Sequence, residues 1–447
     1  MPKSNERLQI LLPSLIVGLL TLAFIVAKTG RDALFFQGQG LFQLPIAYMA
    51  IGLMSLPAAM IFVKAMKIWG ARPARVGVLI FAATVMSAFV PFLRAEAPKV
   101  LFNLFIFVPA IFAILFASAW LLASDIFEKT PKSEAARFFS RIGASSLAGG
   151  MIGGIVSKGL APYLDPKWLI LLAAGGVLAV VALVIKTHRI FPNNIVSKKD
   201  QSRSKLGFST VLAKKYARSL LLISMTGALV GLLIDFQFYA AASSAQMGAR
   251  GNADFFANFY IMLNMGSLLL QLFATPWIQD RVGLRGGLMI LPLALIGGAT
   301  FVTAAATALS RSVLRVTEGG LRSSIHRSIW EQAFIPLESH ERSFVKLAVD
   351  GIAARVAEAL GATMLFLWLM KVAPDEMPVG ELSTNWIAWV TLATVTVWLI
   401  VTNDLRLQAK REKSAKAPAT PMGGTEVDCE RFPDQCPCTT ELGKGIA

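Results

Sequence analysis

Twelve long apolar runs cover most of the sequence, and their lengths are typical of helices that cross a lipid bilayer. A membrane-spanning helix needs about 20 consecutive apolar residues. Helices and closed barrels alone satisfy their own backbone hydrogen bonds in hydrocarbon. The sequence therefore predicts an all-α integral membrane protein, with spans near residues 8–36, 43–63, 74–93, 100–127, 136–163, 168–185, 217–245, 255–277, 286–308, 311–335, 343–369 and 386–401.

The composition excludes an ordinary soluble domain. Hydrophobic residues make up 55% of the 447 positions and charged residues only 16%, and the mean hydropathy is +0.61. The formal net charge of +16 comes mostly from Lys and Arg in short loops between the apolar runs, which is typical of membrane topology. We therefore expect a lipid bilayer as the surroundings and no nucleic-acid partner.

Candidate metal ligands and catalytic groups are sparse. The three histidines are scattered, which favours neither a metal site nor a catalytic triad. We expect no cofactor, and no enzyme activity, because no nucleophile with a nearby base is apparent. All three cysteines lie near the end of the chain, where no disulfide framework is expected and a metal or redox role stays an open alternative: Cys429, Cys436 and Cys438.

A basic stretch divides the apolar runs into two sets of six, and the loop after the fourth run is echoed between the sets. Pro131, Arg137, Phe139 and Arg141 correspond to Pro336, Arg342, Phe344 and Lys346. Chance matching in apolar sequence is the alternative. Parallel repeats of six spans are typical of transporters of the major facilitator type, which hold substrate between the halves. The predicted domains are an N-terminal bundle at 1–186, a basic cytoplasmic linker at 187–215, a C-terminal bundle at 216–404 and a tail, predicted to be disordered, at 405–447.

Loop charge predicts the orientation. Lys and Arg cluster after the second, fourth, sixth, eighth and twelfth runs and are sparse in most of the opposite loops. Because basic loops stay on the cytoplasmic side, both termini are expected in the cytoplasm. The inner membrane of a bacterium is the expected location.

Charged residues inside the predicted spans are the main indication of function. A charge at bilayer depth is costly and is kept mainly where it meets water, a partner or a substrate. The first span carries Lys28, Arg31 and Asp32. Lys28 and Asp32 are four residues apart and so lie on one helical face, close enough to pair. The alternative is that these side chains extend to the membrane surface.

The tenth span carries Arg315, Glu318 and Arg322 at positions i, i+3 and i+7, which form one stripe. Such a stripe cannot face lipid. Guanidinium groups bind phosphate or carboxylate in a bidentate manner, so an anion site is expected here. A structural ion network that binds no ligand is the alternative.

Other polar residues lie in later spans. Asp235 is the only acid of the seventh span, and it either couples transport to protons or, as we favour, pairs with an Arg of another helix. Asn264 offers an amide to a base or sugar edge, although polar residues that join helices explain it equally well. The eleventh span carries Lys346 and Asp350 at positions i and i+4, and Arg355 and Glu358 at positions i and i+3.

Two local patterns resemble known transporters. The segment DRVGLR at 280–285 resembles the loop signature of the major facilitator superfamily, and this resemblance implies that Asp280, Arg281 and Arg285 brace a cytoplasmic gate. The corresponding segment KIWGAR at 67–72 lacks the Asp. Five further segments resemble the bacterial and plastid ATP/ADP translocase family: GRDALF at 30–35, ASDIF at 123–127, AARFF at 135–139, DFQF at 235–238 and RSIWEQAFIPL at 327–337.

The resemblance implies exchange of adenine nucleotides, with basic cavity residues holding the phosphates. We expect a monomeric carrier that works by alternating access and whose partner is an anionic nucleotide. The expected phosphate contacts are Lys28, Arg31, Arg315, Arg322 and Arg355. The acids expected to balance them in the empty cavity are Asp32, Asp235, Glu318 and Glu358.

Two other functions stay open. A proton-coupled carrier or exporter of another solute would use Asp235 or Glu358 as the titrating group. A non-transporting scaffold or assembly factor would act through its basic loops and its tail, so that deletion of residues 419–447 would abolish its function.

Overall fold

A computed structural model describes residues 2–38, 41–94, 96–127, 132–191, 214–244, 248–334, 337, 345–372 and 385–416. Within these ranges the regular structure is helical throughout, as predicted. The first six helices are α1 (Pro2–Gly38), α2 (Gln43–Trp69), α3 (Ala71–Phe89), α4 (Pro98–Ile126), α5 (Lys132–Leu160) and α6 (Pro166–Ile190).

Helix ends in this first set follow local sequence signals. Gly70 separates α2 from α3 and has a φ of 87°, a conformation that favours glycine over residues with a side chain. Pro98 and Pro166 stand at the first positions of α4 and α6, where the missing N–H of proline costs no helical hydrogen bond.

The second set contains α7 (Lys215–Ser244), α8 (Gly248–Leu269), α9 (Thr275–Arg281), α10 (Gly283–Ala304), α11 (Ala308–Leu321), α12 (Arg327–Ala333), α13 (Ala354–Val372) and α14 (Asn385–Lys416). Wider π-helical turns interrupt these helices, and such turns are frequent at functional sites. They lie at Leu270–Ala274, Arg322–His326 and Leu347–Ala353.

Ten of the described helical stretches are long and apolar enough to cross a membrane. The prediction of about twelve spans also counts α5 and the segment from α11 to α12, which do not meet that measure of apolarity. Helix α5 is rich in glycine and serine, and α11 carries the charged stripe. Both are therefore suited to contacts inside the bundle rather than to a lipid-facing position.

The glycines of α5 let it pack closely against two neighbours, as the small-residue pattern indicates. A side chain at Gly149 would collide with the backbone carbonyl of Gly18 in α1. On the other side, Gly154 faces Ala257 and Ile261 of α8. Helix α5 thus joins a helix of the first set to a helix of the second.

Buried apolar residues form three main clusters. One cluster draws only on residues up to Phe191, and a second draws only on residues from Ala217 onward. The third mixes both sets and is rich in aromatic rings, including Phe35 with Phe238 and Phe256. The first two clusters hold each set of helices together, and the third joins the sets to each other.

The chain divides into two compact units, Met1–Leu405 and Arg406–Ala447. Both predicted bundles lie in the first unit, and the predicted bundle boundaries remain predictions. Residues 192–213 of the linker and the cysteines of the tail lie outside the described residues. The same holds for four members of the internal echo, namely Pro131, Pro336, Arg342 and Phe344.

Candidate functional site

Two of the three charged residues near the C-terminal end of α1 are buried, and the third, Lys28, is partly buried. We call Lys28, Arg31 and Asp32 the α1 trio. The Asp32 side chain is fully buried, and the Arg31 side chain is 5% exposed. The Nε of Arg31 donates to Asp32 Oδ1 at 2.7 Å, and its guanidinium lies 4.1 Å from the ring centre of Phe105.

Asp32 also connects α1 to two helices of the second set. The hydroxyl of Tyr239 in α7 donates to Asp32 Oδ2 at 2.9 Å, and that of Tyr260 in α8 donates at 2.6 Å. Sequence reasoning gave neither tyrosine this role. A usable signal was present, because the chain has 5 tyrosines against 29 phenylalanines and a buried hydroxyl needs a hydrogen-bond partner.

Lys28 differs from its neighbours in having no ion-pair partner within the part of the chain that the structure describes. Its Nζ lies 4.7 Å from the ring centre of Tyr260. It interacts electrostatically with Asp32, Asp235 and Arg315. Lys28 and Asp32 therefore lie close enough to interact, as their spacing predicts, although Arg31 and the two tyrosines occupy the carboxylate oxygens.

The charged stripe of the tenth predicted span forms one connected network, as its spacing predicts. We call Arg315 and Glu318 of α11, together with Arg322 of the π turn that follows, the α11 trio. Glu318 is 2% exposed and pairs with both arginines. Arg322 also donates from Nη2 to the carbonyl of Gly227 in α7 at 2.8 Å.

Asp235 of α7 completes this network. Its Oδ1 lies 2.5 Å from the Nε of Arg315, so the prediction that Asp235 pairs with an Arg of another helix is confirmed. Side-chain exposure in the network is graded, from 15% for Arg315 to 25% for Asp235 and 36% for Arg322. A charge facing lipid is unfavourable, so groups exposed to this extent are suited to a water-filled space inside the bundle.

The two trios and Asp235 bring four cations and three acids together. Their formal charges sum to +1, and the surplus corresponds to Lys28. All three arginines are ion-paired, so an anion would bind by sharing or replacing a carboxylate at the partly exposed guanidiniums. Each guanidinium carries five N–H donors, which permits such sharing.

Arg355 does not join this cluster, contrary to prediction. Its Nη1 lies 2.6 Å from Glu358 Oε2. The side chain lines a cavity of about 650 Å³ between α2 and α13 and a smaller one of about 250 Å³ that α1 and α4 also line. Glu358 therefore balances the charge of Arg355, as predicted, but at these cavities, and the phosphate contact predicted for Arg355 lies apart from the other predicted contacts.

Asn264 is buried between helices and is not positioned to contact a substrate. It is 5% exposed, and its Nδ2 donates to the carbonyl of Tyr260 at 2.8 Å within α8. Its amide lies directly against Gly150 of α5. Asn264 therefore packs at a helix–helix interface, which is the alternative that the sequence left open.

The charged residues before α13, which are spaced i and i+4, take their partners from α12. Lys346 pairs with Glu331 of α12. Asp350 accepts a hydrogen bond of 2.8 Å from Trp330 Nε1. A π turn, Leu347–Ala353, begins directly after Lys346 and contains Asp350.

The predicted gate is described only in part. The guanidinium of Arg281 is 5.5 Å from the ring centre of Trp277. The side chains of Asp280 and Arg285 lie outside the described residues, so their role stays a prediction. Among the described residues, no group of three His, Cys, Asp or Glu could hold a metal ion.

Solved structures with the same arrangement of helices establish the fold. The chain aligns with a point mutant of the nucleoside transporter NupG with a TM-score of 0.64 and 10% identity, covering 89% of this chain and 99% of that one. The NupG structure without that substitution aligns with a TM-score of 0.59 and 10% identity, covering 89% and 98%. The predicted all-α fold of the major facilitator type is confirmed.

Sequence comparison supports the resemblance to the translocases. The chain is 22% identical over 365 residues to "ADP,ATP carrier protein 1" of Chlamydia trachomatis serovar D. This alignment covers 70% of this chain and 67% of the relative. No family model matches the chain. The resemblance seen in the local motifs thus extends over most of the sequence.

The expectation about enzyme activity, which was drawn from the absence of an apparent nucleophile with a nearby base, is corrected by the similar proteins. The relatives are named as a carrier and a nucleoside transporter. It is these likenesses that point to a transport role.

Proposed function

We propose that the chain is a secondary active transporter that moves an anionic organic phosphate by alternating access, and that it exchanges ATP for ADP. The observation that carries the proposal is the cluster of four cations and three acids between helices of the two sets. The likeness to an ADP,ATP carrier supports a nucleotide as the substrate.

The position of the cluster suits alternating access. In transporters built from two repeats, the substrate site lies near the midplane where the repeats meet. Asp32 of α1 bonds to Tyr239 of α7 and Tyr260 of α8, so its contacts link the two sets. Movement of one set against the other would break these bonds and expose the cluster to the other side of the membrane.

The three acids of the cluster stabilise its cations when no substrate is bound. Burying unpaired cations is costly, and paired carboxylates reduce that cost. Asp32, Asp235 and Glu318 hold the three arginines while no substrate is present, and Lys28 supplies the excess positive charge. A nucleotide phosphate would then bind Lys28 first and compete with the carboxylates for Arg315 and Arg322.

We further propose that the carrier works as a monomer in a bacterial inner membrane, with both termini in the cytoplasm. One chain supplies every residue of the cluster, and the basic loops favour this orientation. The proton-coupled alternative is less favoured, because Asp235 and Glu358 are each paired with an arginine. No specific observation favours the scaffold alternative.

The test is uptake of labelled ATP by liposomes that contain the purified chain. We expect uptake to require ADP trapped inside and to be unaffected by deletion of residues 419–447. Uptake that needs no internal nucleotide and follows an imposed pH gradient would contradict exchange. No uptake of ATP under either condition would contradict the proposed substrate.

A further inference from the structure

A small aromatic cavity lies one helical turn from Lys28 along α1 and is not used by the ion network. Its volume is about 250 Å³, and four helices contribute to its wall. The residues that matter here are Phe24 of α1, Ser55 of α2, Phe112, Ala113 and Phe116 of α4 and Arg355 of α13.

Three phenylalanine rings form the apolar wall. The ring centres of Phe24 and Phe112 are 5.1 Å apart, and those of Phe24 and Phe116 are 5.7 Å apart with planes at 86°. Phe112 is 1% exposed, whereas Phe24 and Phe116 are only partly buried. The latter two rings are thus available to stack against a planar ligand, as aromatic side chains do with nucleic-acid bases.

Two polar groups line the same cavity. Ser55 donates its hydroxyl hydrogen to the carbonyl of Ile51 at 2.6 Å, which leaves its oxygen able to accept a hydrogen bond. Arg355 uses Nη1 to pair with Glu358, and a guanidinium has further N–H donors. A planar ring with both donors and acceptors on its edge would be hydrogen-bonded here.

The size and position of the cavity suit one part of a larger ligand. Pockets that enclose a whole drug-sized ligand have volumes of about 300 to 1,000 Å³, so this cavity suits a single ring system. Phe24 and Lys28 are four residues apart on α1, and such residues lie on one face with Cβ atoms about 5 to 6 Å apart. A charged group attached to the ring would therefore lie beside Lys28.

We propose that this cavity binds the purine base of the nucleotide, whose phosphates lie at Lys28 and the partly exposed arginines of the α11 trio. The proposal rests on the proposed function. It assigns Arg355 to the edge of the base instead of to a phosphate. It also makes Phe24 and Phe116 the residues that distinguish a nucleotide from a phosphate chain without a base.

The test compares equilibrium binding of ATP and of inorganic tripolyphosphate, which has no base, to the purified full-length chain. Phe116→Leu removes one stacking surface and should weaken ATP binding about tenfold while leaving tripolyphosphate binding unchanged. Ala113→Phe fills the cavity from an exposed position and should act in the same way. Phe81→Leu in α3, where the ring is 55% exposed, is the matched control and should change neither.

Lys28→Gln separates the two proposals, because it should weaken the binding of both ligands. Equal effects of Phe116→Leu and Ala113→Phe on ATP and tripolyphosphate, or no effect of either variant, would overturn the base site. The proposed function would survive that result as long as the wild type binds ATP and Lys28→Gln weakens it. A wild type that binds neither ligand would contradict the proposed function itself.

Discussion

The two charged trios have the same composition, two cations and one acid, but differ in their surroundings. In the α1 trio, Asp32 and Arg31 are both buried, and Asp32 is held by tyrosines of two other helices. In the α11 trio, the acid is buried within its own stripe while Arg322 is 36% exposed. The buried pair of Arg31 and Asp32 suits a contact that holds helices together, whereas the partial exposure of Arg322 and of Lys28 suits a contact with a ligand.

The largest expected effect follows from removing the acid of the α1 trio. Asp32→Asn leaves the Arg31 guanidinium buried without its counter-charge, and breaking a buried pair in this way costs about 3 to 5 kcal/mol of stability. The measurement is the free energy of unfolding in detergent. The matched control is Asp165→Asn, because Asp165 and Arg250 form a pair with side chains 54% and 61% exposed.

The control variant Asp165→Asn should lower the free energy of unfolding by less than about 1 kcal/mol, because exposed ion pairs contribute little. Equal destabilisation by Asp32→Asn and Asp165→Asn would remove the distinction between a buried contact that holds helices together and an ordinary surface pair.

The next effect distinguishes the two trios directly. Arg322→Gln should weaken ATP binding about tenfold, because it deletes a charge-assisted contact worth about 1.5 to 3 kcal/mol, with a smaller change in stability. Arg31→Gln should instead reduce stability more than it weakens ATP binding, because Arg31 is buried against Asp32. Binding titrations and unfolding curves on both variants provide the check, with Lys371→Gln at the exposed end of α13 as control.

If both variants reduce binding and stability in the same proportion, the two trios form one structural network, and the separation of their roles is incorrect. The same conclusion would follow if the Lys371→Gln control weakened ATP binding as much as Arg322→Gln.

The smallest effect concerns the tyrosines that bond to Asp32. Tyr239→Phe and Tyr260→Phe each delete one hydrogen bond to Asp32 Oδ2. Each should lower the free energy of unfolding by about 1 to 3 kcal/mol. Because both hydroxyls share one acceptor, the double variant should depart from additivity. A double-mutant cycle measured by unfolding tests this, and strict additivity would indicate that the two bonds do not share Asp32.

Part of this arrangement was predictable from the sequence. The helices follow from apolar length, and the contact of Glu318 with Arg315 and Arg322 follows from helical spacing. The pairing of Asp235 with an arginine follows from the cost of leaving an acid alone in a membrane span. These conclusions need only local geometry and the cost of burying charge.

The rest depends on how helices pack. Lys28 and Asp32 have ideal spacing, but Arg31 and the tyrosines compete successfully for the carboxylate. Arg355 lies on a charged span, yet the approach of α2 to α13 places it in a separate cavity. Lys346 and Asp350 take their partners from α12, which the periodicity of their own helix cannot predict.

The most direct test of the central claim is ATP binding to the purified wild-type chain and to Lys28→Gln. Lys28 provides the surplus positive charge of the cluster, so the account predicts that Lys28→Gln weakens ATP binding about tenfold or more, while stability changes little. Wild-type affinity in Lys28→Gln would contradict the claim that this cluster binds the phosphates.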